Sequence, residues 1–223
     1  MENTNIQQPE TPAASLQPAQ NAVDHLSTLL SWILVPLMMP FYATLLLFDL
    51  SPLKDAATEV KTVVCLIIFA INVVLPMALV YLLKLFGFVH DVGLNKRRER
   101  LMPYIITVLA FAGSGWFMAE KGAPRWVVMF FIGGGVAALI NMVINFRWKI
   151  SAHAAAVAGV VAMLIRLRTE YAMSDGIMIW TIVWIMLAGL LGSARIWLGR
   201  HTVWQVLAGY VVGFLAVYLL TMI

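Results

Sequence analysis

Little in this chain suits it to water or to covalent cross-linking. One cysteine in 223 residues excludes a disulfide framework and a thiolate metal cluster, and Cys65 itself sits within an apolar run. Charged residues make up only 12% of the chain against 62% hydrophobic, with a mean hydropathy of +0.89. A soluble globular domain is thereby excluded. Lys and Arg are absent from the first 27 residues, so the basic region that opens a secretory signal is missing. That stretch, rich in Gln, Asn, Pro, Ala, Ser and Thr, reads as a retained, disordered tail over residues 1–27.

The hydrophobic residues come in blocks near the ~20 residues that a bilayer-spanning helix needs. They lie at about 28–48, 62–86, 103–119, 126–146, 152–168, 177–194 and 202–223. The fold class expected is all-α: a polytopic membrane helical bundle with six or seven transmembrane helices, forming one domain over residues 28–223. Gly209 and Gly213 carry the small-xxx-small spacing of close helix packing, and Gly133, Gly134 and Gly135 sit mid-helix. Pro36, Pro40 and Pro76 lie inside apolar blocks and predict kinks.

Three polar clusters border these blocks: residues 95–100 (Asn95, Lys96, Arg97, Arg98, Glu99, Arg100) followed by Pro103, residues 147–153, and residues 195–205. With seven spans, two helices separate each cluster from the next. An even number of crossings returns the chain to the same side, so all three meet at one membrane face. Ionisable groups pressed against a membrane-spanning run are costly, and they mark a site by default. Arg, Lys, Ser and two His without acidic metal ligands suit a phosphate ester. The guanidinium fork matches phosphate oxygens, one imidazole can attack phosphorus, and a second can protonate the leaving oxygen. His201 and Gln205 are four apart and share a helix face, so the Gln carbonyl can fix the imidazole tautomer.

The third cluster resembles the last motif of the type 2 phosphatidic acid phosphatase superfamily, membrane phosphatases with Ser-(x)-Arg, five residues, His, three residues and Asp, continuing V-L-A-G. Here Ser193, Arg195 and His201 keep that spacing, followed by Gln205-Val206-Leu207-Ala208-Gly209. Ile150-Ser151-Ala152-His153 is similar to the family's Pro-Ser-Gly-His. The resemblance covers about residues 95–215 and implies a nucleophilic His201, a general-acid His153, phosphate binding by Arg195 and the Ser151 region, and no metal or other cofactor. The first motif, Lys, six residues, Arg-Pro, is altered: aligned on Pro103 it meets Asn95 and Met102, leaving Lys96, Arg97 and Arg100, with Lys149, as phosphate-binding candidates. Gln205 replaces the family's Asp and completes the catalytic set with His201 and His153.

The function expected is hydrolysis of a lipid-linked phosphate monoester or diphosphate through a phosphohistidine. The alternative is a catalytically impaired relative that binds or transports a phosphorylated lipid, because Gln205 lacks the carboxylate charge. Paired histidines at one face also suit haem ligation, a reading that leaves the arginines without a role. The partners expected are the bilayer and a phosphorylated lipid, and no nucleic acid. Nine of the fifteen basic residues fall on the cluster side and six on the other. If eight of the nine serve phosphate, the topological balance is one against six, which places the site outside the cytoplasmic membrane. A compact bundle without an N-glycosylation sequon fits a bacterial inner membrane.

Overall fold

The computed structural model describes residues 12–88, 100–171 and 175–223, with the side chains of residues 12–19 outside that description. Its helices are α1 (Pro12–Ile33), α2 (Met39–Leu50), α3 (Thr58–Phe69), α4 (Leu75–Leu85), α5 (Leu101–Glu120), α6 (Arg125–Asn145), α7 (Ala152–Glu170), α8 (Asp175–Trp197) and α9 (Val203–Thr221). In a bilayer each backbone N–H and C=O must find a partner within its own segment, so blocks this apolar fold as helices. Among the described residues, seven stretches are long and apolar enough to cross a membrane. Helices α1 and α2 together form the first, α3 and α4 the second, and α5 to α9 one each. The chain is a polytopic helical bundle.

Two of the expected proline breaks join helix pairs within one span. Pro36 begins a 3₁₀ turn, Pro36–Met38, between α1 and α2, and Val35 before it is extended at ψ 142°, the conformation that proline imposes on its predecessor. Pro76 follows a π-helical turn, Ala70–Val74, between α3 and α4. That turn presents the buried Asn72, whose Nδ2 donates to the Ile68 carbonyl at 3.0 Å and to Ser114 Oγ on α5 at 2.6 Å. A kinked span is thus tied to its neighbour by the amide at the kink.

The expected tail over residues 1–27 is corrected from residue 12 onward, where α1 begins. Ala, Leu and Gln in this stretch favour helix, and tertiary contacts hold it. Trp197 Nε1 on α8 donates to Asp24 Oδ1 at 2.8 Å, and Ser27 and Ser31 are buried. Residues 1–11 lie outside the described residues.

At the centre of the bundle is α7, which packs on α6, α8 and α9 and buries Ala154, Ala155, Val157 and most of its following two turns. Its small side chains let α9 approach backbone to backbone. A Cβ on Gly213 would lie 1.9 Å from the Ala155 carbonyl oxygen, and one on Gly209 would lie 2.5 Å from that of Ser151. Close packing is therefore the role of this glycine pair. Because α7 and α9 run parallel with α8 returning between them, their N-terminal ends are brought together at one face, where α5 also begins. Leu66, Leu109, Trp116, Met186 and Leu219 are among the exposed apolar side chains, as expected of a surface in contact with lipid.

Candidate active site

The third cluster is built on the turn between α8 and α9. Gly199 adopts φ +63°, the left-handed conformation that ends many helices, and the chain folds back so that Arg200 N and His201 N both donate to the Arg195 carbonyl, at 3.0 and 3.2 Å. The five-residue gap between Arg195 and His201 is the length of this turn. Thr202 then caps α9 in a capping box: its Oγ accepts from Gln205 N at 3.4 Å, and Gln205 Oε1 accepts from Thr202 N at 3.3 Å. The same Oε1 lies 3.1 Å from His201 Nδ1. An amide oxygen can only accept, so Nδ1 carries the proton and the ring's lone pair is on Nε2.

Gln205 also anchors the second cluster, since its carbonyl accepts from Ser151 N at 3.2 Å. Ser151 is fully buried and caps α7, its Oγ accepting from Ala154 N at 3.3 Å. Two residues on, His153 Nε2 lies 3.2 Å from the carbonyl oxygen of Ser31 on α1. His153 and His201 are within electrostatic reach of one another.

From the first cluster comes Arg100, 9% exposed, whose Nη1 approaches the Ile150 carbonyl at 3.5 Å. Burial lowers its pKa, with the Tyr104 hydroxyl acting in the opposite direction. Arg100, Arg195 and Lys149 all act on His201. Lys149 is likewise lowered, by burial first and then by Arg100, Arg195 and Arg200. Arg195 Nε is buried without a hydrogen-bond partner. Mutually repelling cations held together beside an unpartnered guanidinium nitrogen form a receptor for an anion, and the N-termini of α7 and α9 add positive dipole ends. Among the described residues, no group of three or more His, Cys, Asp or Glu side chains is placed to hold a metal ion.

A family model matches the C-terminal part of this arrangement. The PAP2 superfamily model matches residues 144–223. Over those residues the chain is similar to that superfamily. Comparison with curated proteins and with solved structures gave no match. The PAP2 match runs from the end of α6 through α9 and so contains Lys149, Ser151, His153, Arg195, His201 and Gln205; it supports a phosphatase-type function. Arg100 and the Ser31 carbonyl join the PAP2 segment from outside it.

Of the residues singled out from sequence, His201, His153, Gln205, Arg195, Ser151, Arg100 and Lys149 converge at the clustered N-termini, whereas Lys96 and Arg97 lie outside the described residues. Ser193 is exposed on α8. Two features escaped the sequence reading. The Thr202–Gln205 capping box was legible as Thr-x-x-Gln before an apolar run, but the Ser31 carbonyl has no side-chain signature.

His201 is held neutral. Its pKa is pushed down from 6.5 to about 3, first by burial, then by Arg100 and Arg195, with the Gln205 bond opposing and Lys149 adding to the depression. Unfolded, the imidazole gains its proton below pH 6.5, whereas the folded one resists until about 3. The stability tied to this group is complete above pH 6.5 and is lost as pH falls from there toward 3. The thermal midpoint of the detergent-solubilised protein is expected to drop over that window. A His201→Asn variant, scanned alongside, is expected to show a shallower drop; an identical slope would remove His201 from the effect.

Proposed function

We propose that this protein hydrolyses a lipid-linked phosphate monoester or diphosphate at the membrane surface through a phosphohistidine intermediate. The observation that carries this reading is the His201 imidazole, neutral and fixed by Gln205 with its Nε2 lone pair free, beside Arg100, Lys149 and Arg195. These cations would hold the phosphoryl oxygens and stabilise the charge that develops on them. The Nε2 lone pair forms a bond to phosphorus while the bond to the leaving oxygen breaks, its electron pair staying with that oxygen. His153 gives that oxygen a proton. Water then attacks the phosphohistidine, returns a proton to His153, and releases phosphate with His201 restored to its neutral form.

The lipid assignment is supported by an apolar cavity whose lining includes Tyr104 and Ala152, sequence neighbours of the site residues. The cavity, of about 80 Å³, lies between α2, α5, α6, α7 and α9, lined by Met39, Phe111, Gly134, Ala152, Ala155 and Tyr104, the last one turn beyond Arg100. Its apolar lining suits the first carbons of a chain whose headgroup would sit among the arginines. The face carrying the site is proposed to lie outside a bacterial cytoplasmic membrane, with Lys54, Lys61, Lys121, Arg125, Arg166 and Arg168 marking the inner face.

One observation favours a second reading. Gln205 orients His201 without the negative charge that stabilises an imidazolium, and loss of such a carboxylate costs about 10⁴-fold in other histidine sites. A phosphorylated-lipid carrier would keep the cations and need no turnover. Phosphate release by the purified protein in EDTA, from phosphatidate, phosphatidylglycerophosphate, undecaprenyl diphosphate and phosphorylated lipid A, separates the two. Release from at least one lipid is the expected outcome; binding without release from any of them would leave the carrier.

A further inference from the structure

Helix α1 ends beside the site for a reason written in its sequence. Pro36 has no N–H to donate, and it holds Val35 extended. The last backbone bond of α1 runs from Leu34 N to the Leu30 carbonyl at 2.9 Å, so the carbonyls that follow are released from the helix ladder. Side chains from other helices take two of them. Tyr42 Oη donates to the Ile33 carbonyl at 3.1 Å, and His153 Nε2 meets the Ser31 carbonyl at 3.2 Å. A carbonyl only accepts, so the His153 proton is on Nε2. The Ser31 hydroxyl is engaged elsewhere, donating to the Ser27 carbonyl at 2.8 Å. Contact with His153 is therefore made by the main chain alone.

We propose that the Ser31 main-chain carbonyl, released by the break at Pro36, is a positioning group that fixes His153 with Nε2–H outward and Nδ1 as the atom that transfers a proton to the leaving oxygen. This rests on the hydrolytic reading given above. Arg100, Arg195 and His201 are the other charged or titratable groups that face His153. An incoming phosphate dianion favours a second proton on the ring. On transfer, Nδ1 gives its proton to the departing oxygen and the ring returns to the neutral form with Nε2–H still on Ser31; water later restores the Nδ1 proton. Helix α1 lies outside the segment 144–223 that defines the family match, and Asp24 with Trp197 docks it against α8. The N-terminal span thereby completes a site whose other parts are near the C-terminus.

General-acid help matters for a poor leaving group and little for a good one, which gives a readout that simple loosening of the fold would not produce. Pro36→Ala lets α1 continue, so that Val35 N takes the Ser31 carbonyl and His153 loses its partner. Turnover of a single-chain alkyl phosphate is expected to fall about 10- to 100-fold in kcat/KM, while p-nitrophenyl phosphate changes less than about twofold. Tyr42→Phe, which leaves the other released carbonyl unpartnered, is expected to reduce both substrates equally if it reduces either. Should Pro36→Ala not fold, replacing Trp32 by its α-hydroxy analogue turns the Ser31–Trp32 amide into an ester with a weaker carbonyl acceptor. It is expected to show the same selective loss. Equal loss on both phosphates, or none on either, in the folded variant overturns the proposal. Persistence of full turnover in His201→Ala would instead overturn the phosphohistidine mechanism of the hydrolytic reading.

Discussion

His201→Ala is expected to lower phosphate release by about 10⁴-fold or more while leaving the thermal midpoint at pH 7 close to that of the parent chain. The loss follows from geometry. His201 supplies a lone pair that is fixed in direction, by Gln205, and neutral at pH 7. On the proposed mechanism no bond to phosphorus forms without it, and positioning by the cations cannot act on an absent nucleophile. A second measurement gives the test a chemical signature. Brief incubation with a radiolabelled phosphate ester followed by alkaline quench should leave label on the parent chain, labile to acid, and none on His201→Ala. Equal release by the two proteins would remove the phosphohistidine mechanism.

Gly213→Ala is expected to destabilise the folded protein by about 3 kcal/mol, the upper range for forcing atoms into a packed interior. Its Cβ would sit 1.9 Å from the Ala155 carbonyl oxygen, and that obstacle is backbone, which cannot rotate away. Either α9 moves off α7 or the helix bends. Both outcomes pull His201 and Gln205 away from Ser151 and His153, so turnover should fall together with stability. Gly189→Ala on α8 is the control: nothing lies within 4 Å of its added carbon, and the gain in helix propensity, up to about 1 kcal/mol, should leave that variant as stable as the parent or slightly more so. Denaturation midpoints in one detergent distinguish the two glycines. Equal midpoints for both variants would mean that the α7–α9 contact is not a determinant of stability.

Much of the architecture was legible because the bilayer leaves few alternatives. Apolar blocks of spanning length must be helical, and counting crossings already placed Arg100 and residues 147–153 and 195–205 on one face. The spacing of Arg195 and His201 was equally readable, being the length of the α8–α9 turn around Gly199. The end of the tail was not legible, because low hydropathy over residues 12–27 says nothing about the Trp197 indole that meets Asp24. Lys96 and Arg97 stand as sequence expectations alone, while Arg100 from the same run is buried against Ile150.

By itself, then, the sequence determined a helical membrane protein of six or seven spans and singled out two histidines, an arginine and the amide four residues beyond His201 as candidates. These are local properties: hydropathy over one helix length, the reach of one turn, and the periodicity of one helix face. Only the tertiary structure decided that the Gln205 carbonyl ties α9 to Ser151, that Arg100 joins from the far side of two spans, and that the Ser31 carbonyl holds His153. Those contacts involve main-chain atoms or residues up to 122 positions apart. Main-chain carbonyls are the same in every residue type, so no side-chain pattern announces which of them a helix break will release.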